Sequence, residues 1–181
     1  MRFIKLILIS IVGFAILISL LSLLFPSQAV VERSGVIDAP MTVVYGQIND
    51  LRTWSQWNPW TKMEATNSLE FSEPAYGTGA WYSWANPKKQ GVTSGKLTIT
   101  RSEPAKGVYY ELLYNDMRPV SSGLEIKPTK NGDGTVIHWY LVTKLGWLPW
   151  WKFRGFMADR LMGPQVEQGL TELKERCERN K

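Results

Sequence analysis

The feature that most constrains this chain is a run of 20 residues, Leu6 to Phe25, without one charged side chain. At about 1.5 Å per helical residue the run reaches about 30 Å, the depth of a bilayer's hydrocarbon core. Arg2 and Lys5 precede it. Positive charge on that side predicts a cytoplasmic N-terminus, with the rest of the chain beyond the membrane. Residues 1–25 are thus expected to be a single-pass anchor in the cell inner membrane, with an extracytoplasmic C-terminal body. A cleaved signal peptide is the competing reading. Ser27-Gln28-Ala29 places small residues three and one before a cut near Ala29, which would give a secreted body. The apolar run is longer than the usual signal core of about 7–15 residues, which favours a retained anchor.

The overall hydrophobic content of 44% therefore divides unevenly. Nineteen of the first 25 residues are apolar. About 39% of the remainder is apolar, enough for a folded core and little enough for a soluble surface. This split excludes a polytopic membrane protein, a disordered chain and a fibre. One cysteine, Cys177, excludes an intramolecular disulfide scaffold and a multi-cysteine zinc site, and one histidine, His138, excludes a histidine-rich metal site. No cofactor is expected. Without Arg2 and Lys5 the net charge of +5 falls to +3. The pairs Lys88-Lys89 and Lys127/Lys130 are scattered on turns and form no dense basic stripe, so nucleic acid is not an expected partner.

Residues 26–29 read as a short linker and 30–181 as one domain. Val30 to Ile37 alternates as a strand. Asp38-Ala39-Pro40 predicts a helix start, with Asp38 as N-cap and Pro40 in the first turn. Asp50 is placed to cap a second short helix bearing Leu51, Trp54 and Trp57, which Pro59 is expected to end. From Ser68 the apolar period becomes two, over about six strands separated by turns. Asn131-Gly132-Asp133-Gly134 is the strongest hairpin signal among them. Met162, Val166, Leu170, Leu173 and Cys177 then recur at steps of four or three, as in a helix with one buried stripe. Gly163-Pro164 is expected to break or kink it. The fold class is therefore α+β, with an antiparallel sheet of about six to seven strands and one long C-terminal helix.

This order resembles the helix-grip fold of the START and birch-pollen-allergen-like superfamily, in which a curved sheet wraps a C-terminal helix. Val36-Ile37-Asp38-Ala39-Pro40, Ile48-Asn49-Asp50-Leu51 and then Trp54, Trp57, Asn58, Pro59 and Trp60 resemble the opening of the SRPBCC, or polyketide cyclase/dehydrase, family. Gly79, Tyr82-Ser83-Trp84, Gly95, Thr135 with Ile137 and Trp139, Phe156-Met157, Gly163, Gly169-Leu170 and Leu173-Lys174 resemble its membrane-anchored bacterial members. The resemblance covers residues 30–178. It implies a site for a lipid or other hydrophobic small molecule more firmly than it implies a reaction.

The inward strand set by alternation is Tyr82, Trp84, Leu97, Ile99, Tyr110, Leu112, Tyr114, Leu124, Ile126, Ile137, Trp139 and Leu141. Ligand pockets have this apolar and aromatic make-up, and so does an ordinary packed core. The expected ligand-binding residues are Tyr82, Trp84, Tyr110, Leu112, Tyr114, Trp139 and Leu141 on the sheet and Met157, Leu161 and Val166 on the last helix. No carboxylate falls on the inward set, so no catalytic residue is assigned. His138 should face outward, and Cys177 should continue the buried helix stripe. Trp147, Trp150 and Trp151, with Phe153 beside Lys144, Lys152 and Arg154, suit a lipid headgroup layer or the closure of one end of the grip. The favoured reading is a membrane-anchored protein that binds a hydrophobic small molecule or lipid between sheet and helix. A cyclase/dehydrase-type enzyme and an envelope protein-interaction module are the alternatives.

Overall fold

Alternation of period two becomes seven strands in the computed structural model, which describes residues 2–22, 26–64, 68–85, 94–114, 119–146 and 149–179. The elements run α1 (Arg2–Ser22), β1 (Gln28–Ile37), α2 (Met41–Asn49), a 3-10 turn (Leu51–Gln56), α3 (Pro59–Glu64), β2 (Ser68–Phe71), β3 (Trp81–Ala85), β4 (Ser94–Glu103), β5 (Gly107–Tyr114), β6 (Val120–Pro128), β7 (Thr135–Lys144) and α4 (Pro149–Arg179). The strands form one antiparallel sheet in the order β1-β7-β6-β5-β4-β3-β2, with α4 packed along β1. Residues 3–21 of α1 have the length and composition of a membrane-crossing helix, and a signal sequence meets the same description.

Register places Gln28, Ala85, Ser94, Tyr114, Val120 and Lys144 at one end of the sheet, here called the proximal end. Ile37, Glu103, Gly107, Pro128 and Thr135 lie at the distal end. The backbone N–H of Leu145 donates to the carbonyl of Ser27 at 2.9 Å, which fixes the entry of β1 to the exit of β7. Helix α4 starts beside that junction. It finishes distally, where Glu178 Oε1 accepts from the backbone N–H of Asp38 at 2.9 Å.

Local chemistry explains the boundaries and corrects several expectations. Helix α2 is N-capped by Pro40 without a side-chain cap bond. Because the helix starts at Met41, Asp38 lies too far upstream to reach its free N–H groups. Asp50 does cap the 3-10 turn, accepting from the backbone N–H of Arg52 at 2.9 Å. Pro59 does not end a helix. It opens α3, where its missing N–H costs nothing, and Asn58 Oδ1 accepts from the backbone N–H of Trp60 at 3.0 Å. Gly132, with φ +79°, closes the hairpin between β6 and β7.

Helix α4 begins at Pro149, ahead of the apolar stripe that starts at Met162, and so takes in residues 149–156. It also runs through Gly163-Pro164 without a break. Met162 packs on the core before that point, and Val166 and Leu170 do so after it. Tertiary packing on both sides thus outweighs the local cost of proline.

The inward residues form cross-strand rows: Trp84, Gly95 and Tyr114; Tyr82, Leu97, Leu112 and Val120; Ile99, Tyr110, Ser122, Leu141 and Val31; Val108, Leu124, Trp139 and Arg33. The last row is closed by α4. A Cβ on Gly169 of α4 would lie 2.6 Å from the Trp139 ring and 3.0 Å from Pro59, so only glycine lets the helix approach this closely. Gly169→Val should therefore destabilise the full chain by about 1–3 kcal/mol. A lowered urea midpoint in detergent, read by tryptophan fluorescence, is the check, and an unchanged midpoint would contradict this packing.

Candidate ligand-binding interior

An aromatic cluster fills the middle of the interior. Trp54 and Trp57, brought in by the 3-10 turn, meet at a tilt, 5.1 Å between centroids. Trp54 meets Tyr110 at 5.0 Å, and Trp57 and Trp60 meet Trp139 at 5.7 and 5.6 Å. Trp139 Nε1 donates to the Tyr110 hydroxyl at 3.0 Å, and Trp54 Nε1 to the carbonyl of Ile48 at 3.0 Å. Trp57 Nε1 is buried and has no hydrogen-bond partner. Two residues expected to wall a ligand, Tyr110 and Trp139, are thus parts of a packed junction. Burial pushes the Tyr110 hydroxyl up to about 12, against the opposing effect of its bonds with Ser122 and Trp139.

Towards the proximal end the packing opens. Trp84 lies over Gly95, whose Cβ would sit 2.2 Å from the indole, and meets Tyr114 at 5.3 Å. Leu112, Tyr114 and Val120 on the sheet are half-buried, as are Met157, Ala158 and Met162 on α4. By contrast Val166, Leu173 and Cys177, further along the same helix, are fully buried.

The structure therefore brings Tyr82, Trp84, Leu112, Tyr114 and Leu141 to the inner face and buries Val166 on α4, while Met157 is half-buried on the side of the helix nearer Leu161. It removes Leu161 from this set. Leu161 is 68% exposed, because the buried stripe runs through Met162 and one residue earlier lies about 100° around the helix. Trp147 falls outside the described residues, as do the side chains of Trp150 and Trp151. Lys152, read as a headgroup contact, is buried at 9% exposure and so cannot offer its ammonium freely to a headgroup layer.

Sequence reasoning missed Arg33. The inward face of β1 includes it, and its guanidinium donates to Glu167 at 2.6 Å and to Asp159 at 2.8 Å. It lies across Gly163, whose Cβ would meet Nη2 at 2.4 Å. Asp159, Gly163 and Glu167 recur every four residues, so one helix face forms a slot for the guanidinium. Its bond with Arg33 holds the Asp159 carboxyl below its ordinary range. The spacing D-x3-G-x3-E was available in the sequence, but its partner on β1 was not. A cavity of about 250 Å³ opens at this seam, lined by Arg33, Gly35, Ile137, Leu170 and Lys174 among others.

His138 faces outward, as expected. Its Nδ1 lies 2.8 Å from Ser34 Oγ and its Nε2 3.6 Å from Glu32. The three side chains resemble a nucleophile, base and carboxylate, but they stand on the outer sheet face. β7 pairs on both sides, so its N–H groups are committed to ladders and leave none for an oxyanion. Cys177 is buried, and burial pushes its thiol up to about 11. Among the described residues no group of three or more His, Cys, Asp or Glu side chains is placed to hold a metal.

Residues 28–178, from the first residue of β1 to the end of α4, match the family described as polyketide cyclase/dehydrase and lipid transport. The chain belongs to that family. No curated protein sequence matches it. Among solved structures, a Staphylococcus aureus protein of unknown function, SA2116, is similar at TM-score 0.63 and 13% identity, over 84% of this chain and 95% of that one. Truncated norcoclaurine synthase from Thalictrum flavum is similar at TM-score 0.55 and 12% identity, over 82% and 92%. DynU16, from the dynemicin biosynthetic locus, is similar at 0.55 and 15%, over 84% and 48%. At these identities the structures establish a shared SRPBCC-type fold.

Replacing Tyr110 by Phe leaves the buried Trp139 N–H without its acceptor and should cost about 1–3 kcal/mol. The Tyr110 hydroxyl titrates near 12, above its ordinary value of 10, so the folded state holds this proton more tightly than the unfolded state. The stabilisation is fully present below pH 10 and is lost as pH rises towards 12. Urea midpoints at pH 9 and pH 11 should therefore fall more steeply for the native chain than for Tyr110→Phe. Equal falls would contradict this assignment.

Proposed function

We propose that this family member binds a hydrophobic small molecule or lipid in the proximal part of the interior, and that binding rather than catalysis is its activity. The observation that carries this reading is a set of half-buried apolar side chains packed against the core: Leu112, Tyr114 and Val120 on the sheet, and Ala158 and Met162 on α4. Side chains left half-exposed inside a sheet–helix grip gain about 25 cal/mol per Å² when a ligand covers them. No charged group lies among the described inward strand residues at this end. An apolar chain would therefore fit, whereas a reaction would lack an acid–base pair. The family description, which includes lipid transport, supports the same class of ligand.

The cyclase/dehydrase reading rests on the inward tyrosine hydroxyls, those of Tyr82, Tyr114 and, beside Trp139, Tyr110. The Tyr110 hydroxyl already accepts from Trp139, and its raised pKa makes it a poor base near neutral pH. Catalysis there would be lost in Tyr110→Phe while ligand remained bound.

Full-length protein extracted in mild detergent should carry a co-purifying hydrophobe in native mass spectrometry. Met162→Trp, which fills the space between helix and sheet, should reduce its occupancy at least about tenfold without unfolding the chain. An empty native protein, or a folded Met162→Trp variant that retains the full load, would overturn the reading.

A further inference from the structure

We infer that the proximal end of the grip rests on the bilayer leaflet from which the chain emerges, so that a lipid acyl chain passes into the interior directly from that leaflet. This rests on the ligand-binding reading above and on α1 being retained as a membrane span, and it adds the source and route of the ligand.

Two independent observations converge on that end. The first is the tether. Only five residues lie between Leu21, the last residue of the span among the described residues, and Ser27. Fully extended, the stretch from Leu21 to Ser27 reaches about 20 Å. Ser27 is itself hydrogen-bonded to Leu145 at the exit of β7. The membrane therefore cannot be far from the proximal strand ends, whereas the distal end is a full strand length further away.

The second is the direction in which the interior opens. The half-buried rows of Leu112, Tyr114 and Val120 are the rows nearest Gln28 and Lys144, and Met157 lies in the first third of α4. The rows of Tyr110 and Trp139 are covered by the tryptophans, and α2 packs on β5 and β6. An acyl chain arriving from the leaflet would meet the open side first. Outward-facing Val30 and Leu113, 48% and 41% exposed, add apolar surface at the same end.

Full-length protein with a fluorophore at Leu113→Cys or at Asp133→Cys, in phosphatidylethanolamine/phosphatidylglycerol vesicles, tests the placement, because Cys177 is buried and reacts poorly. Shallow spin-labelled lipid should quench the label at position 113 at least about threefold more than the label at position 133. The same vesicles carrying a phosphatidylglycerol with a diazirine-bearing acyl chain test the route, and cross-links should map to Leu112, Tyr114, Met157 or Met162. Interior cross-links with equal quenching at both labels would overturn the leaflet placement and leave ligand binding standing. Selective quenching with cross-links confined to α1 would overturn the route. If the detergent-extracted protein were also empty, the ligand-binding reading itself would fall.

Discussion

The contact between Trp139 and Gly169 is the constraint on which the rest of the structure depends. It joins β7, the strand next to the sheet edge, to α4 at a distance that only glycine permits. Once that distance is set, Trp57 and Trp60 from the short helical segment can reach the same indole from the other side. Three separate parts of the chain then share one ring. Buried tryptophans of this kind contribute a large apolar area each, with an added preference for tilted and edge-on contacts. Burial also makes the polar edges matter, since an indole N–H out of water needs an acceptor. Tyr110 supplies it for Trp139 and the Ile48 carbonyl for Trp54.

A second clamp works by different physics. Arg33 lies on the free edge of β1, where exposed strand groups invite pairing with another chain, and an inward charge there is a common safeguard. Its guanidinium reaches Asp159 and Glu167 over Gly163 and ties the sheet edge to α4. The carboxylates are more than half exposed, so solvent weakens each ion pair. Its geometric effect remains: the helix is held at Asp159 and Glu167 as well as at Gly169. Nearer the start of α4, Gly155 makes a similar close approach, since a Cβ there would lie 2.3 Å from the Leu145 side chain at the exit of β7.

Periodicity made the architecture legible. Alternation over Leu97–Ile99, Val108–Tyr114 and Ile137–Leu141 identified strands because one face is buried and the other is not. The stripe from Met162 to Cys177 did the same for α4. The limits came from residues whose meaning depends on a distant partner. Gly95, Ser122 and Gly123 are small positions, and nothing local says that Trp84 lies over the first or that Tyr140 covers the third. Arg33 broke the apolar pattern of β1 and was passed over, although it faces inward. Pro59 was read as a stop because proline ends helices, and it also begins them. Leu161 shows the cost of composition without phase, since an apolar residue one step from the stripe points into solvent. The division of the inward set into a sealed and an open part depends on packing across the sheet, which period-two patterning does not encode.

That division bears on how a fold of this kind changes its function. Sheet, short helices and the later part of α4 form one continuous core whose aromatic members constrain each other, so substitutions there are felt as lost stability. The proximal side chains have fewer neighbours, and exchanging them alters the shape and polarity of the interior at little structural cost. Members of such a fold can therefore diverge to identities near 13% while keeping their architecture, as the similarity to the Staphylococcus aureus protein illustrates. On the ligand-binding reading proposed above, what this chain holds would depend on its proximal residues. In this chain those residues are apolar and aromatic, on strands whose charged side chains alternate outward. Moving an acid or base into that space would require changing the alternation itself, or bringing a side chain in from α4. Selection on the proximal residues alone would more readily retune which apolar shape is held.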